Sequence, residues 1–136
     1  MLIPPRRIIF AIIMQETGLT GNVRERIGDN GLAHGLMQAH GGPDCLGTSF
    51  GDCSASQVSA MINAGVYGTS LTQGLLSCYD QYGQSYAEAL RCYNSGSVVD
   101  PSDLTEGLGT AGYVSDIGNI LRGSLPNWAA NTNCGF

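Results

Sequence analysis

The sequence predicts a mainly α-helical single domain over 1–136, with a loop-rich or short-hairpin lobe beside a cleft. Three observations predict it. Apolar residues recur at helical spacing in several segments between turn residues, whereas 17–51 has no such period and is dense in Gly, Asn and Asp. With 136 residues and 43% hydrophobic content, the chain can bury one core but is short for two domains of ordinary size.

Pro4 and Pro5 suit a first helical turn, after which Ile9, Ile12, Ile13 and Glu16 share one face and Gly18 stops the helix. The turn-rich stretch to Gly51 includes Gly28-Asp29-Asn30-Gly31 and Gly41-Gly42-Pro43 and has room for one short hairpin. Ser54 or Ser56 caps a helix through Asn63, stopped by Gly65; Thr69 or Ser70 caps another to Tyr82, stopped by Gly83. A third runs from Gln84 to Tyr93, with Tyr86, Ala89, Leu90 and Tyr93 in one stripe. Asp100-Pro101 opens a short helical turn. The last helix covers Thr110 to Arg122, with Tyr113, Ile117, Ile120 and Leu121 inward, Gly123 as its stop and an irregular tail from Ser124.

Composition narrows the function. Only 12% of residues are charged and there are 20 glycines, so Ser, Thr, Asn, Gln and backbone must cover the surface, as suits a secreted protein. Six arginines, no lysine and eleven acids leave a net charge of -5, which argues against nucleic acid or an anionic membrane as partner; a monomer is expected. Cys45, Cys53, Cys78, Cys92 and Cys134 form no CxxC pair, so disulfides and an oxidising compartment are expected rather than zinc. Cys45 and Cys53 flank the glycine-containing loop LGTSFGD and are expected to pair; the second bridge among Cys78, Cys92 and Cys134 stays open. The odd count leaves at least one thiol free or paired outside the chain. Ile8 to Met14 is too short to span a bilayer and is read as a core helix of a mature or trimmed chain without its signal peptide.

Glu16 is the residue most unusual by position. A carboxylate on an apolar stripe at a helix C-terminus is pushed toward its neutral form by desolvation and by the negative end of the helix dipole. That suits a general acid, although an edge position reaching solvent is the plainer reading of the spacing alone. Asp29 sits in a glycine-flanked turn, where Asp ordinarily bonds nearby backbone, and is the candidate second carboxylate. Met37 and the Tyr93 ring read as core, and His34 as a loop residue. A His34-His40-Cys45 metal site lacks a fourth ligand, so neither metal nor cofactor is expected.

Taken in order, Glu16-Thr17, Gly28-Asp29-Asn30-Gly31, Gly35-Leu36-Met37-Gln38, Tyr93-Asn94-Ser95-Gly96 and Tyr113-Val114-Ser115-Asp116-Ile117 resemble the motifs of goose-type lysozymes and soluble lytic transglycosylases. The resemblance spans most of the chain. It implies a lysozyme-like α+β fold with Glu16 as acid at the end of a core helix, and with Gln38, Tyr93 and Asn94 lining a sugar cleft. It further implies that Tyr93 or Tyr113 holds the Glu16 carboxyl and that Asp29 positions the attacking water. Two positions depart from the pattern. Ala39-His40 stands where goose-type enzymes carry a second aspartate, and Thr17 where the transglycosylases carry serine. His40 is then a hydrogen-bonding substitute or a sugar contact, or Asp29 serves the water alone. Fifteen residues ahead of Glu16 are also fewer than the transglycosylase scaffold supplies.

The expected activity is therefore hydrolysis, with inversion, of β-1,4-linked N-acetylhexosamine polymers, peptidoglycan first and chitin-type chains second. Glu16 and Asp29 are the catalytic pair; Gln38, His40, Tyr93, Asn94 and Tyr113 shape the cleft. The alternatives are a lytic transglycosylase, which closes the sugar's own 6-hydroxyl on the anomeric carbon without a base, and a non-catalytic glycan-binding effector.

Overall fold

Proline at positions 4 and 5 bars an earlier helical hydrogen bond, and the chain turns helical at α1 (Arg6–Glu16) in a computed structural model that describes residues 3–47 and 53–126. Four further α-helices follow among the described residues: α2 (Ala55–Tyr67), α3 (Leu75–Gln81), α4 (Tyr86–Ser95) and α5 (Tyr113–Leu121). Between α1 and α2 lies a two-stranded antiparallel hairpin, β1 (Ala33–His34) and β2 (Ala39–His40), in register Ala33 to His40. The expected mainly α architecture with a small hairpin lobe is what the chain adopts.

The buried line of α1 is displaced by one residue from the expected stripe. Ile8, Ala11 and Ile12 are the buried positions, while Ile9, Ile13 and Glu16 lie on the flank and are only partly buried. Helix α1 packs on α5, and α3 packs on α4, around a core joined by Met37, Val66, Leu75, Leu90, Tyr113 and Ile117. A smaller cluster of Leu36, Cys45 and Met61 fixes the hairpin lobe to α2.

Several expected boundaries move, each for a local reason. Ser54 caps α2 through a reciprocal pair with Gln57, and the helix runs past Gly65 to end at Gly68. Gly65 is a packing site instead of a stop: a Cβ there would come within 2.5–2.7 Å of the buried Met37 side chain. Helix α3 begins at Leu75, later than expected, because 68–73 forms a tight turn in which Gly68 bridges Gln73 and the Thr69 hydroxyl donates to the His40 carbonyl at 2.5 Å. Ser85 caps α4. No helix forms at Asp100-Pro101, where the Asp100 carboxylate accepts from the Ser102 backbone and hydroxyl in a turn. Leu121, expected inward, is 39% exposed as the last residue of α5.

Cys45 bonds Cys53 as expected, and Cys78 bonds Cys92, tying α3 to α4 inside the core. Cys134, and the part of the tail from residue 127 on, lie outside the described residues. No helix is long and apolar enough to cross a membrane among the described residues.

Candidate active site

Glu16 closes α1, and its neighbour Thr17 fixes the exit. The Thr17 hydroxyl donates to the Ile13 carbonyl at 2.7 Å and accepts from the Gly21 backbone at 2.9 Å, so the chain folds back where the carboxyl emerges. The phenol of Tyr113, at the start of α5, donates to Glu16 Oε1 at 2.8 Å. The α1–α5 packing therefore sets the carboxyl in place. Burial pushes the Glu16 carboxyl up to about 7 from 4.5, and the Tyr113 hydrogen bond holds it from rising further. Burial and the nearby Glu16 push Tyr113 well above the ordinary phenol range, so it remains a donor.

Tyr93, the other candidate holder of Glu16, donates to the Met37 carbonyl at 2.5 Å. It ties α4 to the hairpin turn and still lines the cleft. Tyr113 does not line the cleft: it is buried at 2% exposure and acts through Glu16, a correction to its expected place on the cleft surface.

Asp29 lies across the cleft in a 3-10 turn whose Asp29 and Asn30 both take left-handed φ, 49° and 56°. Non-glycine residues rarely hold such a turn, and the Gly28–Ala33 bridge closes it. Asp29 Oδ2 stands 2.6 Å from His40 Nε2, with the two side chains 56% and 40% exposed. Gln38, at φ 48°, donates through Nε2 to the Arg26 and Gly35 carbonyls at 3.1 and 3.0 Å and so braces the loop against the hairpin turn. Gly35 makes that turn possible, since a Cβ there would meet the Pro43 carbonyl at 2.6 Å.

These groups share a cleft of about 650 Å³, in which Glu16, Asp29, Gln38, His40, Tyr93 and Asn94 all take part. A smaller groove of about 400 Å³ meets it at Glu16 and Gln38 and continues past Thr17, Asn22, Glu25 and Arg26. Glu16 thus stands where two stretches of groove join, a place suited to the middle of a bound polymer.

Sequence reasoning missed Arg91. It is completely buried, and all five guanidinium donors are used: on Ser95 Oγ, on Asn94 Oδ1, and on the carbonyls of Leu104, Leu108 and Thr110. Asn94 Oδ1 also accepts from the Thr110 backbone at 2.8 Å. Asn94 therefore reaches the cleft as part of the clamp that holds 104–110, and that segment supplies Leu108, Gly109 and Thr110 to the cleft wall. The available signal was an arginine between Leu90 and Cys92 on α4, followed by an aperiodic glycine-rich stretch whose carbonyls needed donors.

His34, read as a loop residue, pairs with Asp44 at 2.8 Å, and that bond holds the Asp44 carboxyl below its usual range. Cys45 is in a disulfide and unavailable as a ligand, and no cluster of metal-ligating side chains occurs among the described residues. Compared with known protein families, curated proteins and solved structures, the chain matches none.

Proposed function

We propose that this chain hydrolyses β-1,4 bonds of N-acetylhexosamine polymers, with Glu16 as general acid and Asp29 serving the attacking water. The observation that carries the reading is Glu16 itself, a carboxyl that keeps its proton to about pH 7 at the junction of two grooves, oriented by a buried phenol. A glycosidase acid needs a held proton, a fixed direction and access to the leaving oxygen.

In the proposed reaction the Glu16 proton passes to the glycosidic oxygen as its bond to the anomeric carbon breaks, and water adds to that carbon. The proton lost by water goes to Asp29. The resulting Glu16 carboxylate keeps the Tyr113 hydrogen bond, which favours its charged form. Asp29 suits its part because His40 engages Oδ2 while the side chain stays 56% exposed on the cleft wall. His40 thus takes the hydrogen-bonding place that the resemblance gives to a second aspartate. The exposed Asp29–His40 pair favours hydrolysis over intramolecular closure by the sugar's 6-hydroxyl, which needs no base.

Product analysis tests the reading. Digestion of N-acetylhexosamine oligomers and of peptidoglycan should give reducing ends, whose fresh anomer is inverted by NMR, and Asp29→Asn should lower turnover by roughly one to three powers of ten. Products in 1,6-anhydro form, made equally fast by Asp29→Asn, would make the chain a transglycosylase. No cleavage of any such polymer would overturn the proposal.

A further inference from the structure

Building on the hydrolase reading, we infer that the polymer this cleft takes is uncharged: a chitin-type β-1,4 chain of N-acetylhexosamines in preference to glycans bearing lactyl or peptide carboxylates. This reverses the order that the family resemblance implies. The positive charge of the molecule lies away from the main cleft. Six arginines are the permanent side-chain cations of the sequence.

Arg6 and Arg7 are exposed at the start of α1, about 14 Å of helix from Glu16. Arg91 is buried with every donor engaged. Arg122 follows α5 at the end opposite Tyr113 and bonds Asn119. Arg24 reaches the Leu46 carbonyl at 3.4 Å, and Arg26 lines only the smaller groove, beside Glu25. Residues 1–2, 48–52 and 127–136 contain neither Lys nor Arg.

The main cleft accordingly has no arginine among its described lining residues; its ionisable carboxyl and imidazole groups are Glu16, Asp29 and His40. A proton on His40 Nε2 points at Asp29, so that charge is already matched. Glu106 lies within the 104–110 segment that forms the far wall and Asp100 and Asp103 just precede it, and hydrogen bonds from Ser102 and Thr105 hold both aspartate carboxyls below their usual range. A carboxylate entering the main cleft, on the side of Glu16 away from Arg26, would lose water without gaining a cation and would meet a negative field. An uncharged acetamido sugar loses nothing of the kind. Leu71 and Leu108, 64% and 80% exposed at the cleft, offer apolar surface for acetyl methyls and sugar faces.

Two ligands and two variants decide it. Glu16→Gln, which binds without cutting, is titrated at pH 5.5 and low salt with an N-acetylglucosamine hexamer and with stem-free peptidoglycan strands that keep their lactyl carboxylates. Turnover of both by the parent protein is measured beside it. The hexamer should bind tighter by about tenfold or more, and the gap should narrow as salt rises. Leu108→Arg should strengthen binding of the carboxylated strand several-fold at low salt, a gain that salt removes, and weaken binding of the hexamer, which loses the apolar Leu108 surface. Equal or tighter binding of the carboxylated strand by Glu16→Gln, or no gain from Leu108→Arg, overturns the inference while cleavage of both ligands leaves the hydrolase reading standing. Failure to bind or cut either ligand ends both.

Discussion

Glu16 and Tyr113 form a unit whose parts can be separated by substitution. The phenol lowers the Glu16 pKa against the larger effect of burial, so Tyr113→Phe should push the carboxyl further up and move the alkaline limit of activity to higher pH. Turnover should also fall, by roughly tenfold, because the carboxyl loses its fixed direction. A pH profile whose alkaline limb does not move would separate Tyr113 from the acid. Burial of Glu16 also has a stability consequence with a definite sign. Unfolded, the carboxyl ionises near 4.5; folded, near 7. Below about pH 4.5 it is protonated in both states and costs nothing; as pH rises toward 7 the unfolded chain gives up its proton first and stability falls, by roughly 3 kcal/mol at most once both are ionised. Glu16→Gln, neutral throughout, should therefore match the parent in urea unfolding at pH 4 and exceed it by about 1–3 kcal/mol at pH 8. The sequence made Glu16 visible through its helical register, and the one-residue offset of the buried line explains why it is both desolvated and reachable: at the centre of the stripe it would be sealed off. The Asp29–His40 contact was not legible, because it depends on how the Asp29 turn folds against strand β2.

Helix α4 does two tasks with consecutive residues. Leu90 and Cys92 enter the core while Arg91 gathers three carbonyls of 104–110 and so builds the far wall of the cleft. Replacing it with a side chain of similar length but no donors, Arg91→Met, leaves the Leu104 and Leu108 carbonyls without partners and Thr110 with the Tyr113 backbone alone; the loss in urea unfolding should be about 3 kcal/mol or more, with weaker glycan binding. Unchanged stability would mean that the segment is held by other contacts. Periodicity located the helices because apolar spacing is a local property. It misread Gly65 and Thr69 and passed over Arg91, whose reasons lie in distant partners: the Met37 side chain, the His40 carbonyl and the 104–110 backbone. A glycine chosen for close packing and one chosen to end a helix look the same in sequence.

The molecule as a whole joins a helical core to a hairpin lobe, and each part has its own disulfide. Cys78–Cys92 closes a separation of 14 residues within the core, and Cys45–Cys53 one of 8 beside the hairpin. Loss of the first should cost roughly 3 kcal/mol and the second somewhat less. Thiol titration of denatured, unreduced protein should find no more than one reactive cysteine; five would refute both bridges and the oxidising compartment they imply. The Cys45–Cys53 bridge was legible because two cysteines flank a short aperiodic loop, whereas the choice of Cys92 for Cys78 needed the α3–α4 packing to be known. If Glu16 delivers a proton that it keeps to about pH 7, the pH dependence of kcat/KM on an N-acetylhexosamine oligomer will report it. An acidic optimum with a descending limb near pH 7 is expected, with no measurable turnover for Glu16→Gln at any pH. A rate still climbing through pH 8, or a Gln variant as active as the parent, would contradict it.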